Sequence, residues 1–269
     1  MKPLGGCPFG CPWNVQPECP FSVPLSFMQT KIGMGVNVAV FGASGLVGGE
    51  LLKTLLEDDG VSEVRAPVRR PLGMDHPRLR ESVIDFEDED ALSGVVSGCE
   101  TVYVAIGTTN RKVGGEKEAY RRVDFDIPVG VAKACASMGV FGIALVSSVG
   151  ADPENKYNFY IKLKGVVEET VSEQGVPQTV IVRPSVLLGK RQESRVGERF
   201  AQLVMSMVSG LLSGGYRKYR AIRAGDVARA MVMATRSLSK GIHVLEYGEM
   251  MELSNKWAAK WPSGGALKA

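Results

Sequence analysis

Histidine is scarce in this chain: His76 and His243 are the only two among 269 residues. Neither lies in a pattern that would support a His-centred triad or a His-ligated metal, so no metal site is expected. Net charge is nearly absent as well, at +3, with basic residues scattered among acids. That balance argues against nucleic acid as a partner. No apolar run reaches the length that spans a bilayer, so no membrane role is expected.

Cysteine is sparse and oddly placed. Of the five, Cys7, Cys11 and Cys19 fall in the first segment, and Cys99 and Cys135 fall in patterns that read as folded core. Three thiols without a nearby histidine do not complete a tetrahedral zinc site, and their spacing matches no known knuckle. Residues 1–34 are rich in Pro, Gly and Cys without periodicity, which reads as an unstructured extension. Their only cations are Lys2 and Lys31. The segment therefore lacks the Arg-rich amphipathic helix of a transit peptide, and it also lacks a secretory apolar run. On these grounds a cytoplasmic protein is expected.

What is present is the material of one large α/β domain: 45% hydrophobic and 23% charged residues. From Val36 the chain alternates strand and helix. Strands are expected at Val36–Phe41, Val64–Val68, Ser82–Asp85, Thr101–Ile106, Phe141–Ser147 and Gln178–Pro184. Helices are expected from Gly49, over Tyr120–Met138 and over Tyr157–Glu173. Such alternation predicts a doubly wound parallel sheet of the Rossmann type in a single domain, residues 35–255, followed by a tail, 256–269. After Leu188 the pattern loosens. A helix over Gly197–Leu212, a strand at Lys218–Ile222 and a helix over Asp226–Thr235 would form a small region covering the substrate.

Between the first strand and the first helix stands Gly42-Ala43-Ser44-Gly45-Leu46-Val47-Gly48. Gly42 suits a tight turn, Gly45 lets backbone approach a pyrophosphate, and Gly48 lets the helix close on the strand. Backbone N–H groups of this loop, those of Ser44, Leu46 and Val47 included, would face the phosphates at the positive helix end. About 20 residues beyond the glycines, an acid would select the ribose hydroxyl of NAD. The second strand ends instead in Arg69-Arg70-Pro71. A guanidinium grips a 2′-phosphate where a carboxylate repels it, so NADP(H) is the expected cofactor. The plainer reading is two solvated arginines on a loop. Asp85 and Phe86 could flank the adenine, or Asp85 could simply begin a turn.

Tyr160 and Lys164 are four residues apart and share one helix face. An ammonium beside a phenol favours phenolate, which makes the tyrosine usable as an acid or base. Ser147, thirteen residues upstream, could bond a substrate oxygen that becomes an alkoxide. Ser148 and Tyr157 are rivals for these roles. Tyr-x-x-x-Lys is common by chance; its value here comes from its place after the fifth strand.

Taken together, the chain resembles the atypical short-chain dehydrogenases, and among them the Tat-interactive-protein-two-like oxidoreductases. The resemblance is carried by Gly42–Gly45, Ile106-Gly107-Thr108-Thr109, Val123-Asp124-Phe125-Asp126, Ser147–Asp152, Tyr160–Gly165, Arg183–Leu188 and Arg191–Arg195, over about Val36–Leu253. It implies NADPH held by the glycine loop with Arg69 and Arg70, and a Ser147–Tyr160–Lys164 set. It further implies that Gly107 and Thr108 border the cofactor ribose and that Arg183-Pro184 passes the nicotinamide. Arg191 and Arg195 either meet a substrate anion or pair with Glu193 and Glu198. The expected activity is NADPH-dependent reduction of an unidentified carbonyl compound. The alternatives are an NADPH-binding regulator acting through a protein partner and, behind it, a nucleotide-sugar epimerase. A homodimer is compatible with any of these.

Overall fold

The computed structural model describes residues 35–108, 117–189 and 218–260. The expected extension 1–34, the helix over Gly197–Leu212, and Arg191 and Arg195 lie outside the described residues.

Seven parallel strands form one sheet. They are β1 (Val36–Phe41), β2 (Val61–Val68), β3 (Leu79–Val83), β4 (Thr101–Val104), β5 (Gly142–Val146), β6 (Gln178–Val182) and a strand at Gly241–Leu245. The order is β3-β2-β1-β4-β5-β6 and then the Gly241–Leu245 strand, with every neighbouring pair parallel. Two short strands, β7 (Leu187–Leu188) and β8 (Ile222–Arg223), pair separately, so the last strand of the main sheet is β9. The order reverses between β1 and β4, the switch point at which doubly wound sheets bind ligands.

Helices cover both faces. One face carries α1 (Leu46–Leu56). A second helix, α2 (Glu89–Val96), belongs to the other face. It is joined there by a segment made of α3 (Lys117–Arg121), a π-helical turn (Arg122–Asp126) and α4 (Ile127–Ser137), and by α5 (Phe159–Ser172). The first face is completed by α6 (Ala224–Ser237) and α7 (Tyr247–Lys260). Two apolar clusters result. Leu51, Leu55, Val227, Met231 and Met250 pack on one side of the sheet, and Leu92, Val131, Cys135, Val167 and Val171 on the other. β4 and β6 are wholly buried between the two helical layers, and their sequences are mostly apolar, with Thr101, Gln178 and Thr179 at their starts.

Several expectations need correction. The third strand lies at Leu79–Val83, not Ser82–Asp85. As an edge strand, Leu79-Arg80-Glu81-Ser82-Val83 is polar through its middle, so hydropathy shifts the reading toward Ile84. The helix expected over Tyr120–Met138 is broken in the middle by the π-turn. Pro128 is the cause: it has no N–H to give the carbonyl of Asp124 one α-turn back. The chain widens instead into a π-turn, closed by the Ile127 N–H donating to the Arg122 carbonyl. The strand expected at Lys218–Ile222 is only Ile222–Arg223. Helix α7 continues to Lys260, five residues beyond the expected end of the domain at 255.

Candidate functional site

The glycine loop is shaped as its spacing demands. Gly42 has φ +90°, and a Cβ there would lie 2.6 Å from the Ala105 carbonyl oxygen. At Gly48 a Cβ would lie 2.0 Å from the Gly42 carbonyl oxygen, so the start of α1 can close on the turn only without a side chain. The Gly45 N–H donates to Gly42 O at 2.8 Å. Gly45 caps α1 without a side-chain bond, and the first turn carries no acid. The helix therefore offers free N–H groups and its positive end to an anion. Ser44 is exposed, Leu46 half-buried and Val47 buried behind the loop.

At the ends of β2 and β3 runs a groove of about 740 Å³ whose walls include Arg69, Asp85, Phe86, Phe125, Gly130 and Lys133. Phe86 is held by an edge-to-face contact with Phe41, centroids 6.2 Å apart. Arg69 and Arg70 are both exposed, and only Arg69 is among the walls. Asp85 accepts the Glu87 N–H at 3.0 Å, the turn-forming bond of the plainer reading. The groove is concave and holds two aromatic rings, the cations Arg69, Arg122 and Lys133, and the acids Asp85, Glu87, Glu89 and Asp126.

Helix α5 begins at Asn158, whose side chain accepts the N–H groups of Tyr160 at 3.0 Å and Ile161 at 3.3 Å. Gly165 lets α5 press against the preceding loop, since a Cβ there would lie 2.2 Å from Pro153 N. These contacts fix Tyr160, half-buried, and Lys164, buried, on one helix face. Lys164 Nζ lies 5.9 Å from the Tyr160 ring centroid. The exposed Tyr157 lies before the helix.

Lys164 does not face Tyr160 alone. Its Nζ is 2.8 Å from Asp124 Oδ1, in the middle of the π-turn. Burial by itself would lower the Lys164 pKa. Asp124 foremost, with Tyr160 and Glu168 behind it, more than offsets that and holds the ammonium above its ordinary range. The other oxygen of Asp124 accepts the Thr108 N–H at 2.7 Å, and the Tyr120 hydroxyl donates to the Thr108 carbonyl at 3.2 Å. Both backbone groups of Thr108 are thus bonded by residues one helical turn apart, while Gly107 stands exposed beside them. Tyr120 also meets the Tyr160 ring edge-on at 6.2 Å.

One turn further along α5, Glu168 accepts the Ser147 hydroxyl and is gripped by Arg183 through Nε at 3.0 Å. Glu168, first by hydrogen bonding, raises Arg183 above its usual range. Ser147 and Arg183 are therefore brought together, but by a buried carboxylate. Among the described residues Ser148, half-buried, makes only a 3.5 Å contact with the Val149 carbonyl. Asp124 and Glu168 were both missed as site residues in sequence. Glu168 was signalled by its place four residues after Lys164, on the same face.

A glycine-cradled helix start at the switch point, with a Tyr–Lys face beyond it, defines a dinucleotide-binding, oxidoreductase-like protein. A family model described as NAD(P)H-binding matches residues 42–236. The chain belongs to that NAD(P)H-binding family, within the atypical short-chain dehydrogenases. It is 32% identical over 210 residues to Protein FMP52, mitochondrial, of Debaryomyces hansenii, covering 77% of this chain and 91% of that protein. It is 33% identical over 208 residues to Protein HTATIP2 of Rattus norvegicus, covering 76% and 81% respectively. Among solved structures, a UDP-N-acetylglucosamine 4-epimerase from Methanobrevibacter ruminantium aligns with a TM-score of 0.61 at 17% identity, over 86% of this chain and 83% of that one. At that identity the likeness speaks to the fold.

The expectation of a cytoplasmic protein is overturned here, because fungal relatives are named as mitochondrial proteins. A cellular address is read by receptors and is not set by the fold, so composition was a poor guide to it.

Proposed function

We propose that this protein is an NADPH-dependent carbonyl reductase. The observation that carries the reading is the Tyr160–Lys164 face, tied through Asp124 to the Gly107–Thr108 segment at the end of β4, in a chain that also carries the glycine loop. Gly42, Gly45 and Gly48 with the start of α1 would hold the pyrophosphate, Phe86 the adenine, Arg69 the 2′-phosphate, and Gly107 and Thr108 the ribose. When bound, the nicotinamide supplies hydride. Tyr160 gives its phenolic proton to the carbonyl oxygen, and Lys164, held cationic, supports the charge left behind. Ser148 orients that oxygen, because the Ser147 hydroxyl is already given to Glu168.

The same bond also favours a second reading. A protein whose expected serine serves a buried carboxylate could bind NADPH as a signal and act through a protein partner. One experiment separates the two. Purified protein is titrated with NADPH and NADH, following nicotinamide fluorescence, and then assayed on a panel of aldehydes and ketones alongside Tyr160→Phe. The reductase reading expects tighter NADPH than NADH binding, and a rate loss of roughly 10²–10⁴ in the variant. An unchanged rate in Tyr160→Phe rejects Tyr160 as the acid. NADPH binding without any turnover supports the regulator.

A further inference from the structure

Asp124 is buried to 1% exposure, and each carboxylate oxygen has its own task. Oδ1 meets Lys164 Nζ at 2.8 Å, and Oδ2 takes the Thr108 N–H at 2.7 Å. No ordinary α-turn presents it, since it projects from the π-turn that Pro128 imposes. A buried carboxylate with one ion-pair partner and one backbone donor links two segments far apart in sequence: the end of β4 and the first turns of α5. Tyr120 completes the hold on Thr108 from the same helical segment. The charged groups facing Lys164 are Asp124 from the π-turn and Glu168 from its own helix, with Tyr160 beside them.

We propose that Asp124 is a positioning residue that locks Lys164 as an ammonium and ties it to the Gly107–Thr108 loop, so that the cofactor-facing loop and the Tyr–Lys face are set as one unit. The cofactor part of this proposal rests on the function proposed above; the lysine part does not. A Lys164 ammonium held by a buried partner reacts poorly with reagents that need a free amine. Taking away the charge of Asp124 exposes that amine, and the peptide of Thr108 loses its charge-assisted acceptor.

The test compares the full-length protein with Asp124→Asn and Asp124→Glu, using potassium cyanate as the probe. Carbamylation of Lys164 is followed by peptide mass spectrometry at pH 8 without cofactor, and NADPH affinity is followed separately by fluorescence. In Asp124→Asn, carbamylation of Lys164 is expected to rise about tenfold, equivalent to a one-unit fall in the pH at which the amine is freed. NADPH is expected to bind several-fold more weakly. Asp124→Glu, which keeps the charge, retains slow carbamylation.

Unchanged carbamylation in Asp124→Asn overturns the proposal, as does an Asp124→Glu protein that reacts like Asp124→Asn. Should Asp124→Asn fail to fold, the unaltered protein still decides. Carbamylation of Lys164 must set in at higher pH than that of exposed Lys53 or Lys162, and equal onset overturns the lock. Failure of NADPH to bind the unaltered protein would count against the function proposed above, while the cyanate result still judges the lock.

Discussion

Asp58–Arg236 and Asp124–Lys164 are both carboxylate–cation pairs with a buried acid, yet they lie at opposite ends of the same parallel strands. Asp58 follows α1, just before β2 begins, and accepts the Gly60 N–H at 3.0 Å. Its partner Arg236 is in the last turn of α6, before β9, and stacks over Trp257 at 5.5 Å from the ring centroid. This pair ties helix ends together where the strands start. Asp124–Lys164 sits where the strands finish, next to a phenol and the Gly107–Thr108 loop. Sheets of this kind place ligands at the carboxyl ends, so chemistry of one kind is structural at one end and available for function at the other.

The comparison predicts that stability and cofactor binding separate. The largest effect on stability is expected from Asp58→Asn. Breaking a buried pair from one side is costly, and Arg236 at 29% side-chain exposure regains some hydration. A loss of about 2–3 kcal/mol is expected in urea unfolding, with NAD(P)H affinity unchanged. A clear fall in NAD(P)H affinity would break the separation of the two ends. Trp257→Phe trims the platform under Arg236 and is expected to cost about 1 kcal/mol, again without effect on cofactor binding.

The smallest effect belongs to half-buried Glu63 with half-buried Arg65 at 2.8 Å and exposed Arg80 at 3.2 Å. The Arg65 hydrogen bond foremost, against a smaller burial effect and with Arg80 adding, holds the Glu63 carboxyl below its usual range. A depressed acid contributes stability above its unfolded value, and that contribution is lost as pH falls through the folded one. Glu63→Gln is thus expected to cost less than about 1 kcal/mol at pH 7 and nothing once the pH is acid enough to protonate Glu63. A larger loss would mean that half-buried pairs matter here as fully buried ones do.

How far the sequence could lead follows from where each signal resides. Val36–Phe41 followed by Gly42, Gly45 and Gly48 is a local pattern with a local physical cause, and it was legible. Tyr160 and Lys164 share a face by helical spacing alone, so they were legible too. β9 was missed because Gly241-Ile242-His243-Val244-Leu245 is short and lies at an edge, with Ile242 and Val244 exposed. Asp124 stood within a segment already quoted for its resemblance, but its partners are Thr108 and Lys164, in other elements. The engagement of Ser147 by Glu168 likewise depends on how α5 lies across the end of β5. Contacts of that kind arise from packing, and spacing along the chain does not reveal them.

Pro128 has one more consequence. A π-turn takes up one residue more than an α-turn, and each residue advances a helix by about 100°. The turn therefore rephases everything upstream of Ile127. Downstream, Val131, Ala132 and Cys135 point into the core. Upstream, Tyr120 and Asp124 point to the strand ends. An unbroken helix through this stretch would rotate one of these two sets off its target. A single imino acid thus works as an angular offset between a helix's packing register and its site register.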